Sequence, residues 1–416
     1  MAKMKMSRIS CLLLAVNLFF VGSVFAGEVE LLLDKLVEKN LLDPAESQEI
    51  LIQTREEMKK SMVKGDLRTR YQVDLATSSA LPDRERMRMR LRIGFNTRIA
   101  DNLSAGFGFA TGAAKTYDVT GSTPVSVTVS DGEPRSTNHT FGDTFSKAQM
   151  MVDYGYIQYD PAGWITAYIG KFKNPVWQTT DLLWDGDLNP DGIALPMKFR
   201  SNNMDILINC GYFLIDEAHS STSKEKSRDP SINVIQPVIN KPLGTTNLKL
   251  GVAYYQTASV KGYKLDYSAK TNTGAGMPVI EYVCLNPSLD IKIPDVMGYT
   301  LKVFGDYVTN SATGSPVNQG NCVGIKFGSD KVSSKGDWEL KLLQRYLEKD
   351  AWLDIFPDSD AYGGATGTKG MELMFNYGIT ANLSFGMDYY RITKIGSTDE
   401  AKDTKSLAQF DLVYKF

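Results

Sequence analysis

Between Arg86 and Ile93 the chain alternates without a break, Arg86-Met87-Arg88-Met89-Arg90-Leu91-Arg92-Ile93. On a helix these four arginines would surround the axis, whereas on a strand they share one face. If the strand lies in a membrane wall, arginine on the lipid side costs about 2–4 kcal/mol each near the midplane. Met87, Met89, Leu91, Ile93 and Phe95 are therefore expected against lipid, and Arg86, Arg88, Arg90 and Arg92 against an aqueous lumen. Cations spaced ~7 Å apart along a strand would attract anions, because a low-dielectric wall focuses their field. Screening over roughly 8 Å limits that effect to a constriction. The alternative is that the row pairs with acids on adjacent strands and only solvates the wall. Lys249, Lys302, Lys326, Lys341 and Arg345 are further lumenal cations by the same alternation, and Glu339, Glu372 and Asp388 are lumenal acids. The lumen is thus mixed in sign.

A second cluster is acidic. Residues 173–190 carry Asp181, Asp185 and Asp187, with Asp191 just beyond, and Trp177 and Trp184. Folded inward as a constriction loop opposite the arginines, these acids would set a transverse field that orients dipolar solutes; otherwise they form an exposed acidic loop. Asp185-x-Asp187-x-Asn189-x-Asp191 resembles the first half of a calcium loop, since hard cations need clustered oxygens. Pro190 and Pro196 replace the Gly and Glu that an EF-hand requires, so an EF-hand is excluded; a non-specific divalent site is the minor alternative, and no metal site is expected. The only histidines, His139 and His219, fall in polar loops with no assembled catalytic partner. No enzyme activity and no cofactor are expected.

The elements that must position these residues follow from the rest of the chain. Residues 1–26 read as an export signal: Lys3, Lys5 and Arg8 precede an apolar run from Cys11 to Phe25, and Val24-Phe25-Ala26 supplies the small residues of a cleavage site. Removing them leaves 43 cations against 48 acids, a net charge of −5, which disfavours nucleic acid. Three cysteines remain, Cys210, Cys284 and Cys322, an odd count that argues against a disulfide framework. Past residue 26 no apolar stretch approaches the ~18–20 residues of a membrane helix. Residues 27–64 have helical spacing at Leu31, Leu32, Leu36 and Val37, then a helix start at Asp43-Pro44-Ala45-Glu46. This predicts a periplasmic helical hairpin, which either self-associates as a coiled coil or packs as a short helical pair beside the barrel mouth.

From residue 65 the period is two. Sixteen strand candidates follow, near 66–75, 84–99, 102–112, 148–160, 163–172, 191–200, 203–215, 229–239, 245–257, 277–286, 296–309, 317–328, 335–348, 368–379, 382–394 and 404–416. Every second connection is short and most of the others are long, which is the layout of an outer-membrane β-barrel with about 16 antiparallel strands. The connection 287–295 is long for a turn and is the weakest point of the count. The last strand alternates Ala408, Phe410, Leu412, Tyr414 and Phe416 outward, ending in the terminal aromatic of a barrel assembly signal.

Several stretches then resemble the putative porin family of Gram-negative outer membranes, distantly similar to phosphate-selective porins. They are Arg84–Phe95 with Asn102–Gly112, Pro134–Lys147, the string from Ile169 to Gly192 (IGKFKNPVWQTTDLLWDGDLNPDG), and the loop Asp350–Gly370. The resemblance implies a general or anion-biased diffusion channel, often a homotrimer in such porins, in contact with outer-membrane lipid and passing small hydrophilic solutes or anions. A barrel whose external loops serve adhesion or ligand capture is the competing reading.

Overall fold

The computed structural model describes residues 25–39, 42–44, 47, 48, 50, 61–75, 82–112, 114–119, 125–218, 228–312, 314 and 316–416. The export signal before Phe25, most of the second hairpin helix and His219 lie outside the described residues. A helix, α1 (Phe25–Glu38), precedes the barrel, and Pro44, Ser47, Gln48 and Ile50 are also helical. No helix among the described residues is long and apolar enough to cross a membrane.

The wall is a closed antiparallel barrel. Its sixteen strands are β1 (Ser61–Leu75), β2 (Arg84–Ala100), β3 (Leu103–Gly112), β4 (Gln149–Ala162), β5 (Ile165–Lys171), β6 (Asp191–Ser201), β7 (Met204–Leu214), β8 (Ser231–Leu243), β9 (Thr246–Ala258), β10 (Val283–Val296), β11 (Tyr299–Asn310), β12 (Gln319–Gly328), β13 (Trp338–Leu347), β14 (Thr368–Gly378), β15 (Leu383–Lys394) and β16 (Lys405–Lys415). Each pairs with its neighbours in sequence, and β1 closes on β16 from Asp66↔Lys415 to Leu75↔Ser406. Closure leaves no sheet edge, so every backbone group can be satisfied in a membrane. The terminal residue completes the seam: the Gly65 N–H donates to the Phe416 carbonyl at 2.9 Å, and the Phe416 N–H donates back at 3.1 Å. β1 begins at Ser61, four residues before the expected hairpin boundary.

Short connections gather at one end. Residues 101–102, 163–164, 202–203, 244–245 and 297–298 are two-residue turns. Asn202 and Asn203 both adopt positive φ, 47° and 59°, as tight hairpin turns of this twist require. Near these turns Trp164 stacks on Phe199, and Tyr299, Phe327 and Trp338 form an aromatic group of which Tyr299 is exposed, as in an interfacial girdle.

One strand differs from expectation. The expected strand at 277–286 is instead β10 at Val283–Val296, and residues 287–295 are wall rather than connection. Pro287 and Pro294 read as breakers because proline cannot donate to a ladder. The β10–β11 ladder is interrupted at Asn286 and Pro287 and resumes at Ser288, while the Asn286 amide donates to the Tyr307 carbonyl at 2.7 Å across the gap. The turn is Met297-Gly298, with φ of 55° and 80°.

The largest hydrophobic cluster lies inside the barrel rather than on its wall. Phe172, Leu182, Leu183 and Trp184 from the 172–190 loop pack with Trp352, Leu353, Ile355 and Phe356 from the 348–367 loop and with Phe213 and Tyr255 from the wall. The Trp184 and Phe356 rings are 4.4 Å apart, and Tyr255 and Trp352 are 4.8 Å apart. The Trp352 indole donates to the Leu183 carbonyl at 2.7 Å. Two loops therefore fold into the lumen as one packed body.

Candidate functional site: the lumenal constriction

The alternation of β2 places its arginines as the spacing requires. Met87 is 47% exposed on the outer surface, while Arg86, Arg88, Arg90 and Arg92 lie on the other face, among carboxylates of the adjacent β1 and of the 172–190 loop. β1 brings a second row that the sequence reading missed. Its register sets Arg70 opposite Arg88 and Arg68 opposite Arg90, with Arg68, Arg70 and Gln72 buried inside. The signal was present one strand earlier, as Asp66-x-Arg68-x-Arg70-x-Gln72-x-Asp74.

Like charges directly opposite on paired strands repel, and acids interleave to offset this. Arg86 meets Asp74 at 2.5 Å. Arg90 and Arg92 share Asp66, each at 2.7 Å. Arg70 forks onto Asp411 of β16 and reaches Asp360 of the 348–367 loop at 3.1 Å. Arg68 donates to Asn138 at 2.6 Å and stands 3.5 Å from Asp411. Arg88 differs: its guanidinium donates to Gln72 at 3.0 Å, and among the described residues it has no carboxylate within ion-pair distance. Six guanidiniums thus face five carboxylates, Asp66, Asp74, Asp187, Asp360 and Asp411.

The four acids around the 172–190 loop part company. Asp187 crosses to Arg92 at 3.1 Å and accepts from the Thr137 hydroxyl at 3.1 Å. Asp185 is buried and accepts the Asp187 and Ser359 N–H groups, each at 2.9 Å. Burial pushes its carboxyl up to about 7 despite these bonds. Asp181 faces Arg345 of β13 at 3.5 Å. Asp191 opens β6 and pairs with Lys171 at 2.9 Å in an exposed position. Asn189 donates to Asp153, so the calcium-like string does not converge on a common point.

The 348–367 loop was not expected in the lumen. Its apolar run Ala351-Trp352-Leu353-Asp354-Ile355-Phe356 was the available signal, since an exposed loop has no use for it. Asp354 binds it to the 259–282 loop by accepting from Ser268 Oγ at 2.7 Å and from the Thr271 and Asn272 N–H groups at 2.6 and 3.1 Å. Other predicted lumenal groups are paired: Lys302 with Asp290 at 2.8 Å, and Lys326 with Glu339. Lys249 sits over the Trp177 ring at 4.3 Å. Cys210, Cys284 and Cys322 are free thiols. His139 forms a two-residue bridge with β2 at Met89.

Residues 66–289 and 282–416 match the model of a family described as putative porins. No curated protein matches the sequence. Among solved structures, the high-pH form of OprB from Pseudomonas putida aligns with 88% of this chain and 96% of its own, at 10% identity and a TM-score of 0.52. The anion-selective porin from Comamonas acidovorans aligns over 86% and 99%, at 11% identity and a TM-score of 0.50. These likenesses establish a common fold.

Proposed function

This chain belongs to the putative porin family, and we propose that its outer-membrane channel passes small hydrophilic solutes by passive diffusion with a modest preference for anions. The observation that carries the preference is Arg88, whose charge has only the Gln72 amide oxygen for a partner while its neighbours are held by carboxylates. Arg86, Arg90 and Arg92 serve as the scaffold of that row: paired at short distance, they hold the wall's charge in place and contribute little net field. Asp187, on the constriction loop, adds a transverse component through Arg92. Asp181 and Asp185 work from inside the packed loops, and Asp191 from the rim.

Size selection comes from the two loops docked in the lumen, whose apolar body of Trp184, Trp352 and Phe356 narrows the barrel from within. The α1 segment with its following turn is a periplasmic appendage, and assembly into a homotrimer is the expectation for the family resemblance. Liposome swelling with uncharged sugars of increasing size tests the diffusion reading. Rates that fall steeply with solute size and do not saturate with concentration support it; saturable uptake of one sugar, or no swelling with any, contradicts it.

A further inference from the structure

Asp181, Asp358 and Glu372 bring carboxylate oxygens from three separate segments within 4.8 Å of one another. Asp181 comes from the 172–190 loop, Asp358 from the 348–367 loop, and Glu372 from the middle of β14. The two loops already touch there, through the Asp358 N–H and the Asp181 carbonyl at 3.4 Å. One cation serves all three acids. Arg345 lies 3.5 Å from Asp181, 3.5 Å from Asp358 and 4.0 Å from Glu372. Charge-assisted hydrogen bonds run at ~2.7–2.9 Å, so these are loose contacts that leave acceptor positions open.

Glu372 makes the cluster more than a group of acids. It is fully buried, at 0% exposure, and neither of its carboxylate oxygens has a hydrogen-bond partner among the described residues. One Asp181 oxygen is likewise unpartnered. A buried carboxylate left without partners is strongly unfavourable. Arg345 is within ion-pair distance of all three carboxylates, Lys341 is the next cation to act on Glu372, and Asp388 on β15 adds a further acid to the same wall.

We propose that Asp181, Asp358 and Glu372 bind one hard divalent cation such as Ca²⁺, which staples both inward loops to the barrel wall. The donor set is oxygen only, which suits hard cations and not zinc or copper. Carboxylate oxygens within 4.8 Å of one another can ligate a single ion at Ca–O distances of ~2.3–2.6 Å. Asp181 retains 29% side-chain exposure, which gives the ion an entry path from the lumen. The inference is independent of the channel's anion preference.

Equilibrium dialysis of ⁴⁵Ca²⁺ against the purified, chelator-treated full chain tests it. One saturable Ca²⁺ per chain is expected. Loss of an outer partner alone weakens metal binding ~10–100-fold, so E372Q should weaken it by at least that much. D330N, at a turn where Asp330 pairs with Lys292, should leave it intact. If E372Q fails to assemble, judged by heat-modifiable gel migration, D358N in the loop carries the same test. Absence of saturable binding in the wild-type chain, or binding that survives in the assembled variant, overturns the proposal and leaves protons as the cluster's counter-charge.

Discussion

On the β1–β2 side of the lumen, five of six guanidiniums meet five carboxylates at 2.5–3.5 Å, and Arg88 has only Gln72. On the β13–β14 side, one guanidinium stands 3.5–4.0 Å from three carboxylates. The first side is rich in charge and nearly neutral, and its field is mostly spent within the wall. The second is poorer in charge yet unbalanced. Counting arginines along a strand therefore overstates an anion filter, because the acids that cancel them sit on the next strand and on loops. The charges left without close ion pairs are Arg88 on one side and a largely buried acidic cluster on the other.

The largest effect on this contrast should come from dismantling the body that separates the two sides. Replacing Trp184 and Trp352 together by Ala removes two buried indoles, each worth ~3–5 kcal/mol of packing. The wall does not depend on them, so heat-modifiable barrels should persist while single-channel conductance rises clearly. Unchanged conductance would show that the loops do not set the narrowest section. D354N comes next. It turns an acceptor of four hydrogen bonds, from Ser268, Thr271 twice and Asn272, partly into a donor facing donors, at about 1–3 kcal/mol. The 259–282 loop should loosen, and open-channel current noise should increase.

A smaller effect follows pH. Asp185 has a carboxyl raised from its ordinary value to about 7 by burial. A raised carboxyl favours the folded loop most when protonated, so loop docking is strongest in acid and weakens as pH rises from about 4 through about 7. Conductance should therefore fall as pH is lowered across that range, and D185N should flatten the response. The smallest effect is that of salt. Between 0.1 and 1 M the screening length shrinks from roughly 10 to 3 Å, so the same concentration ratio should give a smaller reversal potential at high salt.

The wall was largely legible in the sequence because a membrane barrel writes its pattern residue by residue. Arg86 to Ile93 fixes both the strand and its faces, and the terminal Tyr414-Lys415-Phe416 fixes the seam. β10 was misplaced where Pro287 and Pro294 imitate a loop, since local propensity cannot see that Asn286 repairs the ladder. Within the site, the β2 row was visible while its neutralisation was not. Asp66 and Asp74 could have been read from β1's own alternation, but Asp411 lies over three hundred residues away and Asp360 on a distant loop. Likewise Trp184 was placed in an inward loop, yet its partners Trp352 and Phe356 come from a segment whose descent into the barrel only the three-dimensional packing reveals.

The central claim is that a nearly neutralised arginine wall leaves one effective cation in the channel. Its most direct test is the reversal potential of the purified protein in a planar bilayer across a KCl gradient, compared with R88Q. A wild-type value on the chloride side that moves toward zero in R88Q is the predicted result. A potassium-side value in the wild-type chain, or a chloride-side value that R88Q leaves unmoved, would contradict it.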